Sequence, residues 1–179
     1  NYETRPVARE TLSELLDIAR FAPSGCNTQP VHWLVIHDTD QVRQISALVV
    51  DGLRHTIAQN PDSPVREVLA RLVQAWDDGA DVVARGAPHL VIAHGPQGNP
   101  MAPHAGIIAQ TYLELAASAF GLGACWMGLV DMTANTWPPL RQFLALPEGH
   151  IVLATLAVGH PEFEYARIPP RQALRVTWR

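Results

Sequence analysis

Apolar residues recur at helical spacing in three amphipathic segments of the N-terminal half of the chain. The first covers residues 8–21 and stops before Pro23, which cannot continue a helix. The second covers residues 42–60, and the third covers residues 65–76 and is closed by Gly79. The pattern predicts three helices that each bury one face against a core.

Three short apolar runs have the composition of β-strands. Residues 31–37 and 151–158 are nearly continuous in β-branched, aromatic and other apolar side chains, which is typical of strands buried on both faces. Residues 90–93 form the third run, and the turn-forming residues 95–100 after it predict a flexible loop that could cover a site. Strands separated by helices favour an α+β fold of the α/β layered type, with residues 1–179 as a single domain.

Residues 103–120 have a helical pattern but are apolar nearly all round, with small side chains on every face. We expect this helix to be almost completely buried, either at the centre of the domain or against its copy in a second chain. Gly121 and Gly123 are expected to cap its end. Residues 133–144 predict a further helix, which two consecutive prolines interrupt or delay.

The composition excludes several classes of protein. The chain has 179 residues, of which 47% are hydrophobic and 17% charged, as expected of a globular protein. Its formal net charge of -4 gives no reason to expect nucleic acid or an anionic membrane as a partner. No apolar run reaches the roughly 20 residues of a membrane span, and two cysteines are too few for a disulfide framework, so a cytoplasmic location is expected. The chain begins at Asn1 rather than at a methionine, so we expect upstream residues.

A polar loop of residues 22–30 lies between the first helix and the first strand. Prolines at 23 and 30 fix both ends, and Gly25 is expected to adopt a positive φ. Between them the loop presents short polar side chains: Ser24, Cys26, Asn27 and Gln29. Taken alone, these residues suit an ordinary turn as well as a binding loop.

Residues 121–128 contain three glycines but do not form a dinucleotide fingerprint, because a helix precedes them rather than a strand. Either the helix end leads into a segment whose backbone a planar ligand can approach, or it enters a buried strand. The eight histidines lack the spacing of a zinc site, and neither Ser24 nor the two thiols have a nucleophile signature. We therefore predict no metal site, and a thiol nucleophile whose histidine partner is distant in sequence stays open.

The tail of residues 161–179 is basic and contains prolines, and we expect it to wrap over a surface. It carries Arg167 and Arg171 on either side of Pro169-Pro170. Guanidinium groups on a stiff segment suit bidentate phosphate binding, although plain surface solvation is the alternative.

Several short motifs occur in a characteristic order: Arg5-Pro6-Val7 before a helix, Ala22-Pro23-Ser24 with Asn27, Gln29-Pro30 and His32-Trp33, then Gly121-Leu122-Gly123 after a buried helix, and Gly159-His160-Pro161 before Arg167. Together they resemble the FMN-dependent nitroreductase family over nearly the whole chain. Residues 1–7 and 167–171 look most like the subgroup in which a ferredoxin module precedes the reductase domain. That module is absent here, since two cysteines cannot hold its clusters.

The resemblance implies a central mixed β-sheet flanked by helices and an obligate homodimer with its sites at the interface. It implies that FMN is contacted by Pro23, Ser24 and Asn27, more weakly by Gln29, by Cys125, Trp126, Met127 and Gly128 beside the isoalloxazine, and at the phosphate by Arg167, with Arg171 as a second cation. A backbone amide near Met127 is expected to face the flavin N5. The family also binds the phosphate with an Arg-x-Ser-x-Arg element, which would lie just upstream of Asn1.

The implied activity is a ping-pong reaction in which NAD(P)H or another donor reduces FMN, and a nitroaromatic, quinone or related electrophilic acceptor is then reduced. Two alternatives remain open. One is an electron-relay module that a ferredoxin, fused upstream or acting in trans, supplies with electrons. The other is a dehalogenase or flavin-cleaving relative with the same fold.

Overall fold

The computed structural model describes residues 1–179. Its α-helices are α1 (Arg9–Ala19), α2 (Thr39–Gln59), α3 (Arg66–Asp77), α4 (Ala102–Ala117), α5 (Gly128–Ala134) and α6 (Pro138–Leu144). Its strands are β1 (His32–Ile36), β2 (His89–Pro96), β3 (Gly123–Trp126) and β4 (His150–Gly159), and short 3-10 helices cover Gly25–Asn27 and Ser118–Phe120. None of the helices is both long and apolar enough to cross a membrane.

The strands form one sheet in the order β1-β2-β4-β3, and all three pairings are antiparallel. The expectation of a mixed sheet is therefore wrong for the single chain. Burial of β1 on both faces is confirmed only in part: its residues pack alternately against the two cores, but most stay partly exposed because β1 is an edge strand that pairs only with β2. The prediction of a central strand at residues 151–158 is confirmed, since β4 lies between β2 and β3.

Two hydrophobic cores lie on opposite faces of the sheet. Leu90 and Ile92 point into the core shared with α2, α3, α5 and α6, whereas Val91 between them points into the core shared with α1 and α4. This alternation is the period-2 geometry of a strand. Helices cover both faces of β2, which is why all three positions are apolar. The sheet is thus the middle layer of three.

Helix α4 is buried on one side only. Gln110 and Leu113 face the sheet and are fully buried, but Ile107 is 50% exposed and Leu115 is 70% exposed on the opposite side. The predicted near-complete burial is therefore wrong within one chain. The apolar outer face is covered by nothing in the chain itself, which leaves a second copy as the remaining alternative.

Several predicted boundaries also change. Gly121 has a left-handed φ of 67° and ends the 3-10 helix after α4 as predicted, but Gly123 is the first residue of β3 rather than a cap. Gly95 and Pro96 belong to β2, so the flexible loop predicted at residues 95–100 is shorter. Helix α5 was not predicted, and α6 begins at Pro138, so the prolines delay that helix rather than interrupt it.

The first residues of the chain pair with the residues that follow β4. Tyr2 forms a β-bridge with Pro161, and the amide of Glu3 donates to the carbonyl of His160 at 2.9 Å. Every residue from 161 to 179 is exposed and none lies in a helix or strand. The tail therefore does not wrap over the surface of its own chain as expected.

Candidate functional site

The polar loop between α1 and β1 has a strained backbone. Cys26 and Asn27 have φ angles of 52°, and Gln29 has a φ of 45°, all in the left-handed region that side chains disfavour. Gly25 does not have the positive φ that was expected. A Cβ at Gly25 would lie 2.5 Å from the sulfur of Met101, so Gly25 packs closely against this flexible side chain at the start of α4.

Hydrogen bonds within the loop hold its polar side chains in place. The backbone amide of Gln29 donates to Oγ of Ser24 at 2.9 Å, and Nε2 of Gln29 donates to Oδ1 of Asn27 at 3.2 Å. Asn27 and Gln29 are exposed. Together with Pro23, Trp33 and residues of α4, the loop lines a cavity of about 130 Å³. The loop is thus a preformed polar surface next to an apolar recess.

The second group of candidate residues lies at the end of β3. Cys125 is a free, partly exposed thiol, and Trp126 is exposed with its indole nitrogen donating to Oε2 of Glu114 at 2.7 Å. The side chain of Met127 is buried, and its amide donates to the carbonyl of Thr155 at 2.9 Å. Met127's own amide is therefore already engaged, and the expectation that a backbone amide near Met127 faces the flavin stays a prediction.

The structure does not bring all candidate residues together within one chain. Pro23, Ser24 and Gln29 line the cavity next to α1, and Asn27 does not. Cys125 lines a different cavity of about 300 Å³ together with Tyr2 and Arg85. Arg167 and Arg171 are exposed in the tail, and Arg171 donates only to the carbonyl of Pro169. Gly128 is exposed at the first position of α5.

Sequence reasoning missed two residues near β3. Glu114 fixes the indole of Trp126, and Arg85 lines the cavity beside Cys125. A turn at Asp81 to Gly86 can be suspected from the sequence, but only the fold shows that it lies against β3 and the first residues of the chain.

Two ionisable side chains are buried next to the sheet. Burial, with the nearby His150 and His32, lowers the pKa of His94 to about 4, and Nδ1 of His94 lies 3.0 Å from Nδ1 of His150. Burial raises the pKa of Asp131 to about 6, and its Oδ1 is buried without a hydrogen-bond partner. No group of three or more His, Cys, Asp or Glu side chains is arranged to hold a metal ion.

Comparison with known proteins identifies the family. The sequence model of the nitroreductase family matches residues 1–160. The chain belongs to the nitroreductase family. Because the chain belongs to this family and an FMN reductase is among its relatives, it is an FMN-dependent oxidoreductase.

Two curated relatives differ in the activity that their names state. The FMN reductase [NAD(P)H] of Bacillus subtilis is 28% identical over 183 residues, covering 97% of this chain and 67% of that protein. The iodotyrosine deiodinase of Danio rerio is 28% identical over 172 residues, covering 92% of this chain and 56% of that protein. The chain thus spans little more than half of the deiodinase's length.

The fold is that of solved nitroreductases. A nitroreductase with bound FMN from Bacteroides fragilis superposes with a TM-score of 0.79 at 20% identity, covering 98% of this chain and 90% of that one. At this identity the likeness shows the fold and not the ligand contacts of this chain.

Proposed function

We propose that residues 1–179 form one FMN-binding domain that takes electrons from NAD(P)H and reduces small electrophilic acceptors such as nitroaromatics and quinones. The observation that carries this proposal is the free edge of β3, which borders a cavity containing an arginine without an ion-pair partner. Donor and acceptor bind in turn at this place, in ping-pong order.

The residues beside β3 fit FMN. The cofactor needs hydrogen-bonding groups along a planar ring system and a cation near its phosphate. Strand β3 pairs with β4 alone, so the backbone groups of its other edge are free for a ligand. The adjoining cavity of about 300 Å³ is lined by Gly123, Cys125 and Arg85 among others. When bound, FMN supplies the electron-transfer chemistry, and the protein holds and orients it.

The candidate residues have separate parts in this proposal. Pro23, Ser24, Asn27 and Gln29 offer one wall, and Cys125 to Gly128 offer the surface next to the ring. Arg167 and Arg171 offer cations for the phosphate. Trp126 presents an aromatic surface against which a planar acceptor can stack, and the hydrogen bond to Glu114 fixes that surface. No side chain of the protein has to act as a nucleophile.

A homodimer is part of the proposal because one chain leaves its two groups of site residues apart. The outer face of α4 exposes Ile107 and Leu115, and the tail exposes further large apolar side chains, namely Phe163, Ile168, Leu174 and Trp178. Apolar surface of this extent favours burial against a second copy. Such a dimer would place the loop of one chain next to β3 and the tail of the other.

The electron donor and the cellular location are also part of the proposal. NAD(P)H is suggested by the name of the Bacillus relative, and we take NADPH as the first donor to test. A ferredoxin, fused upstream or acting in trans, is the alternative donor. The two free thiols suit a reducing cytoplasm.

The proposal is tested by adding FMN to the purified protein, removing the excess, and mixing anaerobically with NADH or NADPH. Retained flavin absorbance that bleaches with either nucleotide, and returns when a nitrobenzoate or a benzoquinone is added, is the expected result. A protein that retains no FMN would overturn the proposal. Retained FMN that bleaches with reduced ferredoxin but with neither nucleotide would indicate an electron-relay module.

Reductive dehalogenation is the second candidate function, and the deiodinase relative carries it. Its test is the release of iodide from 3-iodotyrosine by the FMN-loaded protein with excess dithionite as reductant. Iodide release that requires the FMN-loaded protein, and is absent with free FMN and dithionite, would favour dehalogenation. Absence of iodide release, with nitro reduction intact, would exclude it.

A further inference from the structure

The loop between α3 and β2 is organised by one carboxylate. Oδ1 of Asp81 accepts from the amides of Val83 at 3.1 Å and Ala84 at 2.9 Å, and Oδ2 accepts from the amide of Gly86 at 3.0 Å. Three hydrogen bonds from backbone amides to this one side chain hold the backbone of residues 81–86 in a single conformation.

Arg85 lies inside this loop in an unfavourable backbone conformation. Its φ is 56°, which costs a residue with a side chain about 1–2 kcal/mol relative to the right-handed region. The Asp81 bonds on both sides impose this angle. Its guanidinium group forms no hydrogen bond and no ion pair within the chain, whereas Arg54 pairs with both Asp51 and Asp77. The loop therefore presents an uncompensated cation from a fixed backbone.

This cation lines the cavity of about 300 Å³ beside β3. The opposite side of the cavity is formed by Gly123 and Cys125, and Tyr2 is held there by a hydrogen bond of 3.2 Å from its hydroxyl to the carbonyl of Ala157. A second cavity next to it, of about 500 Å³, is also lined by Arg85 and includes Asp81 and Glu162. Asp81 is engaged with backbone amides, so Glu162 is the carboxylate there that could compete for Arg85.

We propose that Arg85 binds the phosphate group of FMN in the cavity beside β3. This inference rests on the proposed function, which puts the ring next to residues 125–128. Arg85 shares this cavity with Gly123 and Ala124, whereas residues 126–128 do not line it. We therefore place the phosphate end of an elongated ligand along β3 in this cavity. A guanidinium group matches two phosphate oxygens at once, and a fixed backbone reduces the entropy lost on binding. Arg85 thereby adds a cation from a loop with a fixed backbone, whereas the arginines of the tail lie in a segment without helix or strand.

The test compares FMN with riboflavin, which has the same ring and ribityl chain but no phosphate. Dissociation constants for both are measured by flavin fluorescence for the wild type, Arg85→Gly and Arg85→Lys. Glycine suits the positive φ of this position, so Arg85→Gly removes the cation without straining the loop. Arg71→Ala is the matched control, because Arg71 is an exposed arginine on α3 with only a long ion pair to Glu67. Far-UV circular dichroism and the melting temperature confirm that each variant is folded.

We expect Arg85→Gly to weaken FMN binding about tenfold and to leave riboflavin binding unchanged, which corresponds to the loss of one charge-assisted contact. Arg85→Lys recovers part of the affinity, and Arg71→Ala changes neither constant. Equal loss for both flavins, or no loss for FMN, would overturn the assignment of Arg85 while leaving the proposed function intact. A higher KM for NADPH but not NADH, with FMN affinity unchanged, would assign Arg85 to the nucleotide phosphate instead. A wild type that binds neither flavin would overturn the proposed function itself.

Discussion

The indole nitrogen of Trp126 donates a hydrogen bond of 2.7 Å to the carboxylate of Glu114. The two residues come from β3 and α4, so the bond joins the edge of the sheet to the helix beneath it. Trp126 is otherwise exposed, and one bond at its polar end fixes the plane of a large aromatic surface.

Replacing Glu114 should change how acceptors bind more than how the protein folds. We expect Glu114→Ala to raise the KM for nitroaromatic acceptors about fivefold with little change in kcat, because an exposed charged hydrogen bond is worth about 1 kcal/mol. Glu114→Gln keeps an acceptor oxygen and should stay near wild type. Steady-state kinetics with a nitrobenzoate measures both constants. A fall in kcat without a change in KM would contradict a positioning role.

Gly106 lies where α4 crosses β4, and the added methyl group of alanine has no room there. A Cβ at this position would be 2.5 Å from Cβ of Leu153. We expect Gly106→Ala to destabilise the protein by about 1–3 kcal/mol despite the better helix propensity of alanine. Gly98→Ala is the control, because nothing lies within 4 Å of its Cβ, and it should stay within about 0.5 kcal/mol of wild type. Urea unfolding measures the free energy of unfolding of both variants. An equal change in the two would contradict the packing argument.

The helical part of the fold could be predicted from the sequence because its signals are local. The amphipathic pattern of residues 8–21 gave α1 to within two residues at its end, and the apolar run 151–158 gave the central strand β4. Helix α5 was missed because its seven residues directly follow a strand and are too few for a clear periodicity. Likewise, the composition of β1 could not distinguish an edge strand from a central one.

The candidate site could be predicted only in part, because it depends on contacts distant in sequence. The polar character of residues 22–30 is visible in the sequence, but the contact of Gly25 with Met101 is shown only by the fold. Arg85 has no neighbouring motif, and its role depends on Asp81 and on the first residues of the chain.

Acid should destabilise the protein through His94. The pKa of His94 falls from 6.5 to about 4 because the side chain is buried and faces His150 and His32. The native state therefore favours the neutral ring, and the unfolded state binds the proton more readily. The contribution of His94 to the free energy of unfolding is therefore largest above about pH 6.5. It decreases as the pH falls towards 4, by at most about 3 kcal/mol.

Urea unfolding between pH 8 and pH 4.5 measures this dependence. His94→Phe cannot take up a proton and should flatten the profile between pH 6.5 and 4.5, whatever its effect at pH 8. Some slope should remain, because burial and the neighbouring His37 also lower the pKa of His89, which accepts from the amide of Val7. Asp131 adds a slope of the opposite sign, because burial raises its pKa to about 6 and its protonation favours the native state. His104→Ala, at an exposed position, should keep the full slope. If His94→Phe kept the wild-type pH dependence of stability, that dependence could not be assigned to His94.

The exposed outer face of α4 predicts that single charged substitutions there will separate the proposed dimer. Leu115 is 70% exposed in one chain, and burying a leucine side chain is worth about 1.5–3 kcal/mol, counted twice across a symmetric interface. We expect the wild type to sediment as a dimer at micromolar concentration and Leu115→Asp to sediment as a monomer with much weaker FMN binding. Val68→Asp on α3 is the control, since Val68 is also apolar and exposed but lies on a different helix, and it should remain dimeric and keep its FMN. A wild type that is monomeric yet binds FMN tightly would show that one chain completes the site alone. A Leu115→Asp variant that stays dimeric would place the interface elsewhere.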